Sequence, residues 1–271
     1  MRTLNNRISV VTGAASGIGR ATARVLAERG SHLALCDVDR EGLEAVAREL
    51  VATGRRVSIH GVDVSDKARM AALPQEVLDH HGAIHVLINN AGVSVASTFA
   101  EHSIEDFEWL FGVNFWGVVY GCKFFLPELL LADEAHIVNI SSIFGITGMP
   151  MNSSYCASKF AVRGLTESLR VELSGTRVGV TCVHPGGIAT NIVKNSRFTE
   201  PATMKGLKQE TLDRFKGMMP PEKAGAAIVD AIEKNNARLL ITPEAYVIDS
   251  VKRLFPALST ELVGWRWRKM S

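Results

Sequence analysis

The stretch Arg7-Ile-Ser-Val-Val-Thr-Gly13-Ala-Ala-Ser-Gly17-Ile-Gly19 decides the fold. Its first half is a β-branched apolar run of the kind that fits a buried strand. Glycines then crowd the turn, and an amphipathic run starts at Gly17. A chain passing so quickly from strand to helix must bend sharply, and a Cβ there would keep any ligand off the backbone. The helix start offers free N–H groups and a partial positive charge to an anion. The spacing is G-x3-G-x-G, not the common G-x-G-x-x-G dinucleotide fingerprint. Gly13, Ser16, Gly17, Ile18 and Gly19 are therefore the expected cradle for the pyrophosphate of a dinucleotide.

Further along the chain, β-rich runs alternate with helical ones. Strands are expected at 7–12, 32–36, 56–60, 84–88, 135–140, 177–184 and 238–241. Helices are expected at 17–30, 39–53, 65–81, 103–130, 153–174 and 222–235, the third doubtful at Pro74. Asp39, Ser65, Ser103 and Ser153 suit N-caps, and Gly30, Gly54 and Gly82 suit C-terminal stops. Such alternation implies an α/β fold: one doubly wound, mostly parallel sheet of about seven strands with helices on both faces. We expect a single Rossmann-type domain over 1–271, with a substrate lid at 187–220 and an extension at 242–271.

Composition narrows the function. Of 271 residues, 46% are hydrophobic and 21% charged, ordinary for a globular protein. A net charge of +2 with no basic stripe argues against a nucleic-acid partner. The four cysteines form no CxxC pair and the eight histidines show no zinc spacing, so no metal is expected. Cys36, Cys122, Cys156 and Cys182 are read as buried, reduced thiols. No apolar run of about 18 residues and no signal segment is evident, which makes the cytoplasm the default location. Trp265-Arg-Trp-Arg-Lys269 stands out near the end. We read it first as a segment packed on a neighbouring subunit or frayed in solvent, and second as a membrane-surface contact.

Ligands of such sheets bind beyond the carboxyl ends of the strands. Asp37 ends the second strand at the offset from Gly19 expected of a ribose-binding acid. It would repel a 2′-phosphate and so favours NAD; nearby Arg40 keeps NADP open. Asp63 is placed to bond the adenine amino group, with Val64 packing beside it. Asn89-Asn90-Ala91-Gly92 offers small residues beside the cofactor and amides that tie strand ends together. Tyr155 and Lys159, four apart, share a helix face, and Ser142 follows the fifth strand.

Taken together these motifs resemble the short-chain dehydrogenase/reductase family. The likeness covers about Arg7 to Ile241 and adds Asn114, Pro185-Gly186 and Thr190. It implies that Tyr155 is the acid–base and that Lys159 lowers the phenol pKa and bonds the nicotinamide ribose. It further implies that Ser142 orients the substrate oxygen and that Asn114 holds a relay water. Pro185, Gly186, Ile188 and Thr190 would border the nicotinamide. His184 is read as structural.

Apolar residues outside the cofactor's reach, among them Phe144, Ile146, Met149, Met151, Met204 and Met218, suggest a hydrophobic secondary alcohol or ketone. A long flexible segment after Thr190 would close over it; Lys194 and Arg197 are read as solvated. The helix at 103–130 is apolar nearly all round, so a homodimer or homotetramer is expected. Two rival functions remain: an NADP-dependent carbonyl reductase, and a dinucleotide-binding scaffold without activity.

Overall fold

The computed structural model describes residues 1, 3–199 and 206–268. A seven-stranded sheet runs β3-β2-β1-β4-β6-β7-β9, parallel throughout. Its strands are β1 (Ile8–Thr12), β2 (His32–Asp37), β3 (Val57–Gly61), β4 (Val86–Asn89), β6 (Ala135–Ile140), β7 (Val178–Pro185) and β9 (Arg238–Ile241). A separate pair joins β5 (Val95–Ala96) to β8 (Arg197–Phe198). The strand order reverses between β1 and β4, and a crevice opens at such a switch point.

Side chains alternate across this sheet with the period of two that a strand imposes. Val11, Leu33 and Leu35 face a core built with α1 (Gly17–Glu28), α2 (Arg40–Val51) and α8 (Pro221–Glu233). Val10, Ala34 and Cys36 face the opposite core, built with α3 (Lys67–His81), α5 (Gly117–Leu131) and α6 (Ser153–Glu172). Both faces are covered, so β1 and β4 are buried along their whole length. Each Leu or Phe placed here stabilises the fold by about 1.5–3 kcal/mol. All four cysteines are buried and unpaired.

The expected helices exist with shifted ends. Asp39 caps α2 through Gly42 N, and Ser103 caps α4 (Ile104–Phe111) through Asp106 N. Ser65 does not cap α3: Asp66 does, accepting from Ala68 N and Arg69 N. Ser153 lies inside α6, behind Asn152. Pro74 leaves α3 unbroken. The 103–130 helix is not uniform, because residues Gly112–Trp116 form a π turn between α4 and α5. Among the described residues, Ile104–Leu131 is long and apolar enough to cross a membrane. It packs against β4, β6 and α6, as a core helix does. Three helices and the β5–β8 pair were not expected: α7 (Leu207–Lys216), α9 (Pro243–Leu254) and α10 (Pro256–Arg268).

Candidate active site

The glycine turn sits at the mouth of the crevice between β1 and β4. Gly13 and Gly17 hold φ +65° and +54°, where only glycine is unstrained. A Cβ on Gly13 would lie 2.8 Å from the Ala91 Cα, and one on Gly19 would collide with the Gly13 carbonyl. Ser16 supplies no side-chain cap, so the first N–H groups of α1 keep their capacity for an anion.

The fourth strand's end is wired to this turn. Asn90 Nδ2 donates to the Thr12 and Gly13 carbonyls at 2.9 and 3.1 Å. The backbone N–H groups of Asn90 and Ala91 donate to Thr12 Oγ1. Asn89 donates to Asn139 Oδ1 at 2.8 Å, joining β4 to β6 as the sequence suggested. Asp37, at the tip of β2, accepts from Ala15 N at 3.0 Å and from Asp39 N. It is thus fixed beside the turn. Asp63 is engaged more locally than expected: its Oδ1 accepts from both the backbone and the hydroxyl of Ser65. Val64 is buried against Gly117, where a Cβ would come within 2.7 Å of it. This arrangement fits a dinucleotide lying across Gly13–Gly19, with its ribose near Asp37.

The reactive groups meet at the carboxyl end of β6. The Ser142 and Tyr155 side chains are neighbours, close enough for Ser142 to pull the phenol pKa down. Lys159 Nζ lies 5.6 Å from the centroid of the Tyr155 ring and donates to the Ile140 carbonyl at 2.9 Å. Burial pushes the Tyr155 phenol up to about 12, opposed by Ser142. Burial pushes Lys159 down to about 8. This corrects the expectation that Lys159 pulls the phenol down. The ammonium is bonded to Ile140, not to the phenol, and desolvation of the phenol is the largest cause of its shift.

Asn114 joins the same cluster through the π turn. It is fully buried and exchanges hydrogen bonds with the backbone of Val93, at 2.8 and 3.0 Å. Its Nδ2 also reaches Ser158 Oγ, which donates to the Tyr155 carbonyl. A Cβ on Gly92 would sit 3.3 Å from Asn114 Oδ1 and 3.6 Å from Lys159 Nζ, so the three lie side by side.

Three residues hold the cluster, and two of them, Ser141 and Glu244, were not assigned from the sequence. Ser141 Oγ donates to the Lys159 carbonyl at 2.8 Å, binding the strand end to α6. His184 Nδ1 lies 3.0 Å from the Ser142 carbonyl, and burial drives its pKa down to about 4. The neutral ring therefore donates from Nδ1 and fixes the Ser142 backbone, consistent with its structural reading. Glu244 Oε1 accepts from Gly187 N at 3.0 Å, anchoring the segment after Pro185. The Thr242-Pro243-Glu244 run is a helix-start signal that could have revealed α9. Ser141 carried no signal, because a serine at a strand end says nothing of its partner.

On the far side, Ile188 is buried and bridges to Met219, while Thr190 lies against Gly17. Phe144 meets the Tyr155 ring edge-on, 6.1 Å between centroids. Ile146 and Met151 are buried instead, so they pack the core. Arg197 is exposed, as read, and pairs with Asp106 and stacks 3.6 Å over Trp109. Met204 lies outside the described residues. A cavity of about 520 Å³ between α6 and β9 shares no residue with this cluster. The convergence of titratable groups, not cavity volume, therefore assigns the site.

Comparison with known proteins agrees with this geometry. Residues 7–201 match the family model described as short chain dehydrogenase. SadH of Mycobacterium tuberculosis, which bears an oxidoreductase name, is 39% identical over 266 residues, covering 97% of this chain and 96% of that one. A short-chain dehydrogenase/reductase from Burkholderia phymatum, solved in complex with NAD, superposes with a TM-score of 0.88. It is 31% identical and covers 95% of this chain and 96% of its own. An alcohol dehydrogenase from Thermococcus sibiricus, complexed with 5-hydroxy-NADP, superposes at 0.75 with 27% identity, covering 88% and 96%.

Proposed function

The chain belongs to the short-chain dehydrogenase/reductase family of oxidoreductases, and from that premise we propose that it interconverts a hydrophobic secondary alcohol and its ketone with NAD. The observation carrying this reading is the convergence of Ser142, Tyr155 and Lys159 at the end of β6, with the buried Lys159 Nζ 5.6 Å from the Tyr155 ring centroid. Gly13, Ser16, Gly17, Ile18 and Gly19 would hold the pyrophosphate, and Asp37 the adenine-side ribose. Asp63 and Val64 would border the adenine. Asn90, Ala91 and Gly92, with Pro185, Gly186, Ile188 and Thr190, would flank the nicotinamide half. NAD, when bound there, supplies the hydride acceptor or donor.

The protein's own part is proton handling. In ketone reduction the Tyr155 hydroxyl donates its proton to the substrate oxygen, while the Ser142 hydroxyl steadies the developing charge. In alcohol oxidation Tyr155 takes that proton back. A phenol near 12 stands protonated at neutral pH, so oxidation should quicken as pH rises. Lys159 and Asn114 would hold the ribose and a relay water. Preference for NAD over NADP draws on Asp37, which would face a 2′-phosphate, and on Arg40, which is turned to Glu44 at 3.2 Å.

Residues 187–220 would act as the lid. The segment is tied at its root by Ala189 N to the Met219 carbonyl and by Met219 N to the Gly187 carbonyl. Its helix α7 buries no residue, as suits a part that opens. The half-exposed aromatic ladder Phe107–Phe111–Phe115–Trp116–Tyr120–Phe124 on α4 and α5 supports pairing of subunits there.

The test is Tyr155→Phe, assayed at the NADH absorbance with a panel of apolar secondary alcohols. Turnover should fall about 10²–10⁴-fold, the usual worth of an acid–base group. Dinucleotide affinity should be retained, tighter for NAD than NADP. Full activity in the variant would overturn the assignment, and tighter NADP binding would overturn the reading of Asp37.

A further inference from the structure

Beyond β9 the chain adds α9 and α10, whose outer surface is unusually apolar for residues in water. Val247 and Leu254 on α9, Phe255 between the helices, and Leu258, Leu262 and Trp265 on α10 are each at least half exposed. Leu258, Leu262 and Trp265 fall at i, i+4 and i+7, so they line one stripe of α10. The main packing partner of α10 is α9. Scattered exposed leucines are ordinary, but a contiguous patch marks an interaction surface.

Charge decides what covers it. Between 252 and 269 the sequence holds five cations, Lys252, Arg253, Arg266, Arg268 and Lys269, against the single anion Glu261. Arg253 is paired with Asp249 at 3.0 Å, and three of the other four cations fall within 266–269 of the sequence. A second copy docked across a two-fold axis would set this positive patch against itself. A negatively charged bilayer meets both demands: acyl chains for the apolar stripe and anionic headgroups for the cations. Tryptophan beside arginine suits the boundary between them. The start of α9 adjoins the carboxyl end of the sheet. Glu244, in the first turn of α9, holds Gly187 N, and a Cβ on Gly186 would collide with Thr242.

We infer that α9 and α10 form a peripheral docking surface for an anionic lipid bilayer, seating the lid's root at the membrane face. This goes beyond the assigned reaction and does not depend on it.

The test is co-sedimentation of the full chain with phosphatidylcholine vesicles, and with the same vesicles containing phosphatidylglycerol. Binding should be at least about tenfold stronger to the anionic vesicles and should weaken as salt rises. Leu258→Ser with Leu262→Ser, and separately Arg266→Gln with Arg268→Gln, should each cut binding about tenfold or more. Both double variants should keep wild-type turnover on a water-soluble alcohol, which checks their folding. Three results would overturn the proposal: wild type staying off both vesicles, equal binding to both, or binding unchanged in the two variants. If the leucine variant instead shifts the sedimentation coefficient from oligomer to monomer while the wild type ignores vesicles, a second copy covers the patch.

Discussion

Ser142, Tyr155 and Lys159 gather where β6 ends and α6 begins; Ser58, His60, His81 and Glu76 gather in the seam between the edge strand β3 and helix α3. In both places a hydroxyl meets basic groups out of water. Ser58 Oγ lies 2.8 Å from His60 Nε2 and 2.9 Å from His81 Nε2, and His60 Nδ1 lies 3.2 Å from Glu76 Oε2. A serine, a histidine and a carboxylate in series are also the wiring of an activated nucleophile. The proton count tells the clusters apart. His60 Nδ1–H donates to Glu76, so its Nε2 must accept the Ser58 hydrogen. The Ser58 oxygen then accepts from His81 Nε2–H. The Ser58 hydrogen is committed within the protein, and the side chain sits mid-strand, 7% exposed. The Tyr155 cluster lies at a strand's carboxyl end, where the fold leaves room for a ligand. On the proposed reading, similar wiring serves chemistry in one place and cohesion in the other, and position in the sheet makes the difference.

Exchanging activity for stability is the sharpest way to break this contrast. Lys159→Met should lower turnover by about 10²–10⁴-fold. Its folding stability should hold or rise, because a desolvated ammonium is removed. Loss of stability with activity intact would reverse the roles of the two clusters. Ser58→Ala should do the opposite: about 1–3 kcal/mol less stability in urea unfolding, since His60 and His81 lose their shared partner, with kcat/KM unchanged.

A smaller effect separates them by pH. Burial holds His81 down at about 4, from an ordinary 6.5. A histidine depressed in the folded state stabilises fully above its unfolded pKa and loses that contribution as pH falls through the folded value. Between 6.5 and 4 the wild type should therefore lose stability with falling pH. His81→Gln should flatten part of that slope, by about 1–2 kcal/mol. His136 and His184, pushed down to about 3 and about 4, act in the same direction, as do His32, His60 and His85, which burial also lowers. Thermal unfolding across this range checks it; identical slopes in both proteins would remove His81 from the account.

Much of this was legible before any coordinates. The glycines of 13–19, Asp37, the Asn-Asn-Ala-Gly run and the four-residue step from Tyr155 to Lys159 are local patterns. Each is produced by neighbours in the chain, so sequence spacing reports it directly. The strands of the main sheet were legible for the same reason. The misreadings share a different cause. The Tyr155 pKa depends on where the Lys159 ammonium finds its acceptor, and that acceptor, Ile140, is 19 residues away. Arg197 is solvated as read, but its partners Asp106 and Trp109 arrive from helix α4.

Sequence alone therefore determined the order of elements, the glycine turn after β1 and the family, because hydrophobic period and glycine placement act over a few residues. Tertiary structure alone decided which groups are dry and which hydrogen bonds lock Ser142, Lys159 and Asn114 in place. Desolvation and long-range hydrogen bonds depend on what is packed nearby, and that is fixed only when distant segments meet.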